Sequence, residues 1–112
     1  MTLVAAQSVG NLALVTPTSN SVTVSDTISG NDIIPTGGCL LRITTSGTVI
    51  NVSVLDPNST VQGNPGTVSA LVMPSSGSRY LLVPVAAVNP STNVATVTFS
   101  TTTGGTYEVI KF

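Results

Sequence analysis

Between residues 37 and 84 the chain alternates apolar and small polar residues, interrupted by three polar turns. A period of two puts successive side chains on opposite faces of an extended backbone, so each run reads as a strand with one dry and one wet face. In CLLRITT, Cys39, Leu41 and Ile43 share one face, and Leu40 and Arg42 the other. SGT (46–48) reads as a tight turn, and VINVSVL returns with Ile50, Val52 and Val54 inward and Asn51 and Ser53 outward. These two runs are expected to form a hairpin.

The same grammar extends over the rest of the chain. SVTVSDTI (21–28) reads as a strand with Val22 and Val24 on one face and Ser21, Thr23 and Ser25 on the other. DIIPT (32–36) is short, and Pro35 confines it to an edge or a loop because proline cannot donate to a ladder. In TVSALVMP, Val68, Ala70 and Val72 share a face opposite Leu71 and Met73, so this strand is expected to be covered on both sides. In SRYLLVPV, Tyr80, Leu82 and Pro84 lie together. VATVTFS buries Ala95, Val97 and Phe99, and TYEVIKF sets Tyr107, Val109 and Lys111 against Glu108, Ile110 and Phe112.

About eight short strands with no helical periodicity predict an all-β fold, a single antiparallel β-sandwich or small barrel. Residues 21–112 form that domain. Residues 1–20 are an extended N-terminal segment, either the first strand of the sheet or an arm that reaches a neighbour. Leu3, Val4, Leu12, Leu14 and Val15 are its contact residues. The segment DPNSTVQGNPG (56–66) has no period and reads as a long loop. Long loops inside compact domains are often functional, so Asn58, Gln62 and Asn64 are candidate docking residues. Asn89, in the turn AAVNPSTN, is another. Asn51 and Asn58 each open a glycosylation-acceptor pattern, which reads as coincidence in a Ser/Thr-rich chain without a secretory signal.

Composition bears on function by exclusion. Charged residues make up 6% of the 112 residues, there is no histidine, and Arg42, Arg79 and Lys111 are the only cations. Binding nucleic acid by neutralising phosphates needs clustered Lys and Arg, which are missing. The polar surface must be built from Ser, Thr, Asn and Gly, and so little charge protects weakly against self-association. The lone cysteine, Cys39, reads as a small buried hydrophobe with no second cysteine or histidine to complete a metal site. No run approaches the roughly 18 apolar residues of a membrane helix. The N-terminus lacks the basic start of a secretory signal, so synthesis in the cytoplasm is expected.

Enzymatic chemistry finds little to work with. General acid–base catalysis usually uses histidine or paired carboxylates, and here Asp26, Asp32, Asp56 and Glu108 are dispersed. Asp26 and Asp32 flank one turn, where capping of their own backbone is the expected role. A serine nucleophile would have only Lys111 or an aspartate as its base. No catalytic residues, metal, cofactor or small-molecule substrate are expected. A carbohydrate-binding module is a rival, weakened by the absence of tryptophan and by having only Tyr80, Tyr107, Phe99 and Phe112 as rings.

The ordered set Gly37-Gly38, CLLRITT, the 46–48 turn, VINVSVLDP, the Gly/Pro/Asn segment 62–66, TVSALVMPSSG, RYLLVP and TYEVIKF resembles the small decoration (head auxiliary) proteins of tailed-bacteriophage capsids. The likeness covers residues 30–112. Thr44 stands where members often carry asparagine, and AAVNPSTN where an aromatic and a glycine are usual. The resemblance implies a non-enzymatic virion protein on the outer capsid surface. Its implied partners are the major capsid protein and further copies of itself, often as trimers, and its implied effect is to hold neighbouring capsid subunits together. Another virion β-module, such as a tail-tube, connector or fibre component, is the alternative.

Overall fold

The computed structural model describes residues 2–8, 14, 16, 18–33, 38–59, 65–67 and 71–111. The expected all-β class holds. The strands in chain order are β1 (Thr2–Val4), β2 (Gln7–Ser8), β3 (Asn20–Ser21), β4 (Ser25–Ser29), β5 (Cys39–Ser46) and β6 (Asn51–Ser59). They continue as β7 (Pro65–Thr67), β8 (Leu71–Val72), β9 (Ser76–Val83), β10 (Val94–Phe99) and β11 (Gly105–Lys111). Short 3-10 turns lie at Gly30–Asp32 and Val85–Ala87.

These strands form two sheets that face each other across one core. The first runs β1-β4-β10-β6-β7, with β8 also paired to β6, and the second runs β2-β11-β5-β9, with β3 also paired to β11. The core draws Ile28, Val52, Ala95, Val97 and Phe99 from the first sheet and Cys39, Leu41, Ile43, Tyr107 and Val109 from the second. The inward faces expected for 50–54 and 95–99 are the buried ones, and of the two faces read in 39–43 and 107–111 those of Cys39, Leu41 and Ile43 and of Tyr107 and Val109 turn inward. Alternation forces this result, because a one-residue slip would turn each apolar set towards water.

Pairing departs from expectation where the chain changes sheets. The runs 39–46 and 51–59 do not form a hairpin: β5 pairs with β11 and β9, whereas β6 pairs with β10, β7 and β8. Residues 47–50 arch from one sheet to the other. The arch is held by Ser46 N donating to Gly104 O (2.9 Å), Gly47 N to Ser75 O (2.6 Å) and Met73 N to Ile50 O (2.8 Å). Both apolar faces still meet one core, now from opposite sides. In β5 the gain is two long antiparallel partners in place of one local one.

A second change of sheet divides the strand expected at 21–28. Val22 N donates to Gly105 O of the second sheet (3.2 Å), and Val24 O accepts from Phe99 N of the first (3.3 Å). Val22 is buried, but Val24 is 63% exposed, so the two do not share a face. Residues 56–59 and 65–67, expected in a loop, pair as β6 and β7 with an irregularity between Leu55 and Ser59. In β8, Leu71 and Val72 are both exposed and only the following Met73 is buried, so the expected two-sided cover is absent there.

The sandwich is not wholly antiparallel. β1 runs parallel to β4, with Thr2 opposite Asp26, and β2 runs parallel to β11, with Gln7 opposite Ile110. Residues 5 and 6 join β1 in one sheet to β2 in the other and so close that side of the sandwich. Parallel pairing is possible here because the connection from β1 to β4 crosses over through two strands of the opposite sheet.

Gly38 is required at the entry to β5. Its φ is +80°, and a Cβ there would collide with the carbonyl oxygen of Val83 on the neighbouring strand.

Candidate functional site

The charged side chains are engaged within the fold. Asp26 on β4 is 2% exposed and accepts a hydrogen bond through Oδ2 from the Tyr107 hydroxyl on β11, which spans the core from sheet to sheet. Backbone capping was the expected role for this aspartate, and the inward-facing position in a strand excludes it. Asp26 Oδ1 is buried without a hydrogen-bond partner. Burial first, and the Asp26 carboxyl second, push the Tyr107 phenol far above its usual range. The Tyr107 ring packs against Phe99 with centroids 5.0 Å apart.

Asp32 lies elsewhere, bonded to Lys111 Nζ (2.9 Å) and to the amide of Ala6 (3.5 Å). It thereby ties the 5–6 crossing to the end of β11. Glu108 and Arg42 face each other across β11 and β5 at 3.5 Å. Arg79 Nη1 donates to the carbonyl of Ser78 (2.8 Å).

Lys111, opposite Ser8 in the ladder, has its ammonium held by the Asp32 carboxylate. The Cys39 thiol is buried, and desolvation followed by the charge of Asp32 pushes its pKa up to about 11. A nucleophilic or metal-binding thiol needs the opposite environment. Among the described residues no group of three or more His, Cys, Asp or Glu is placed to hold a metal ion. Among them, too, no helix is long and apolar enough to cross a membrane.

What the surface does offer is an apolar edge. β9 is the outer strand of the second sheet and, among the described residues, pairs on one side only. It is eight residues long, and its register with β5 runs unbroken from Val83 opposite Cys39 to Ser76 opposite Ser46. Tyr80 and Leu82 on its outer face are 67% and 52% exposed, with Pro84 and Val85 exposed beyond them.

Where β9 faces β6 and β8 of the other sheet, the sandwich opens into two hollows. The larger, about 250 Å³, lies among Val54, Leu55, Leu71, Leu81, Leu82 and Ala87. The smaller, about 150 Å³, lies among Val52, Val72, Met73, Arg79 and Tyr80. Together with the exposed Tyr80 and Leu82 these hollows make the β9 edge an apolar surface. One feature of the sequence signals it: YLLV is apolar at four successive positions, where a strand with one wet face would alternate.

Of the expected docking residues, Leu3, Val4, Leu14, Asn58 and Asn89 lie among the described residues. Leu3 is exposed on β1, but its neighbour Val4 is 6% exposed and belongs to the core, which removes it from any contact surface. Strand alternation places the two on opposite faces. The reading of this segment as a strand therefore applies to residues 2–4 and 7–8. Leu14 is fully exposed. Gln7 clips the following segment to β2, donating to Thr16 O (2.6 Å) and accepting from Thr18 N (2.7 Å).

Asn58 lies in β6. Leu12, Val15, Gln62 and Asn64 fall outside the described residues. Asn89 is partly buried and builds its own turn: its Oδ1 accepts from Ser91 N (2.9 Å), and its carbonyl accepts from Asn93 N (2.7 Å). Its role is local structure. Searches with protein-family models, against curated proteins and against solved structures find nothing that matches this chain.

Proposed function

We propose that this protein is a non-enzymatic virion structural module that attaches to the outer surface of a tailed-phage capsid and reinforces contacts between major capsid subunits. The observation that carries the reading is the fate of the charged groups. Asp26, Asp32, Arg42, Glu108 and Lys111 are bonded to one another or to Tyr107, inside the sandwich or across its strands. The remaining surface of the described residues carries hydroxyls and exposed apolar side chains, which suits adhesion. The resemblance of residues 30–112 to capsid decoration proteins supplies the identity of the partner. A shell gains from such a module because one modest contact is repeated at every symmetry-related position.

The test is to add the purified protein to assembled heads lacking it, then measure its sedimentation with the particles and their survival on heating. Stoichiometric binding with a higher temperature of genome release is expected. Heads that neither retain the protein nor gain heat resistance would overturn the proposal.

A further inference from the structure

We propose that β9 pairs with β9 of a second copy of this chain, joining two sandwiches through one continuous antiparallel sheet. Natural sheets protect their edges with short strands, proline, bulges or inward charges. The other outer strands described here follow that rule, since β1, β2, β3, β7 and β8 are each two or three residues long. β9 departs from it, being eight residues long, regular in register, without proline and with Arg79 as its one charge. Among the described residues, β9 is the one outer-edge strand long enough to match β9, which makes the contact isologous and two-fold.

The side chains select the register. A two-fold perpendicular to the sheet keeps outer faces together, so even-numbered residues meet even-numbered ones. Centring the axis on Arg79 would place the two guanidinium groups opposite each other, which is unfavourable. Centring it on Leu81 places Tyr80 opposite Leu82 of the second copy and Leu82 opposite Tyr80, with Leu81 meeting itself. Arg79 then lies opposite Val83. The run Tyr80–Leu82 is apolar and self-complementary about its midpoint, and in this register two aromatic–aliphatic pairs form on the outer face. Both hollows lie beside this edge, so the pairing carries the second copy across their mouths.

A two-fold pair is a different assembly from the trimer implied by the resemblance, and it does not depend on the capsid reading. The test is sedimentation velocity with light scattering on the full chain at about 10–100 µM, a range that populates dimers of micromolar affinity. A species of twice 11.3 kDa is expected. Tyr80→Lys and Leu82→Glu, each at an exposed position, should each weaken the dimer about tenfold or more while far-UV circular dichroism is unchanged. Combining both substitutions in one chain should restore the dimer, because the introduced charges then face each other across the two-fold axis.

A monomer at the highest concentration, or a trimer indifferent to these substitutions, overturns the inference. So does a double variant no tighter than the single ones, since a merely adhesive patch would not recover. Head binding by an unsubstituted chain that stays monomeric at every concentration leaves the capsid reading standing while removing this one.

Discussion

The buried pair formed by Asp26 and Tyr107 gives the sharpest test of the fold. Tyr107→Phe removes one oxygen and keeps the ring that packs on Phe99. The carboxyl it leaves behind is 2% exposed, and its other oxygen already has no partner. The loss is therefore more than one ordinary hydrogen bond. A bond to a charged group contributes about 1.5–3 kcal/mol, and stranding a buried acceptor adds its desolvation cost, so about 2–4 kcal/mol is expected. At roughly 4 °C per kcal/mol for a domain of this size, the melting temperature should fall by about 8–16 °C.

Urea unfolding followed by circular dichroism measures the change directly, and a double-mutant cycle with Asp26→Asn isolates the pair. Asparagine retains an acceptor for the phenol, so Asp26→Asn should cost less than Tyr107→Phe. If Tyr107→Phe stays within about 0.5 kcal/mol of the parent, or costs the same when position 26 is alanine, the pair does not join the two sheets energetically.

Four further outcomes are expected. Gly38→Ala should destabilise by about 2–4 kcal/mol, because alanine resists a φ of +80° and its Cβ would strike the Val83 carbonyl; chemical unfolding measures it. Stability should fall in alkali. The raised Cys39 pKa means that the native thiol keeps its proton after the unfolded one, ordinarily at 9.0, has lost it. The contribution is complete below pH 9 and declines by about 2–3 kcal/mol on approaching pH 11, with Tyr107 adding to the loss above about pH 10; Cys39→Ala should remove the first part of that slope. Val97→Asp should abolish folding, since it places an unpaired carboxylate at a position 1% exposed, and deletion of residues 2–8 should do the same by removing Val4 and the 5–6 crossing; loss of the β-sheet circular dichroism spectrum is the readout for both.

How far the residues alone reached follows from which forces are local. The dry face of a strand is set by its own alternation, so Leu41, Ile43, Val52, Ala95, Val97 and Val109 could be placed without knowing their neighbours. The partner of a strand is set by the whole molecule. SGT between two alternating runs is compatible with a hairpin or with an arch between sheets, and nothing within residues 39–54 distinguishes them. Asp26 was misread for a related reason. A carboxylate beside a turn ordinarily caps backbone, and only the phenol 81 residues away makes its burial tolerable. The apolar edge was visible in part, because Tyr80, Leu82 and Pro84 were assigned one face. That β9 has an open side depends on the order of strands in the sheet, which periodicity does not carry.

The arch at residues 47–50 has a consequence for how the molecule would respond to being cut there. The piece before the arch contributes β5, which lies between β11 and β9 of the piece after it, and β4, which lies beside β10. The two halves alternate strand by strand in the second sheet, like clasped fingers, and meet along the β4–β10 boundary in the first. A protease nick in the arch would leave a molecule of unchanged hydrodynamic size, and it would come apart only in denaturant. Produced separately, the halves would be disordered alone and would regain structure on mixing, as complementing fragments do.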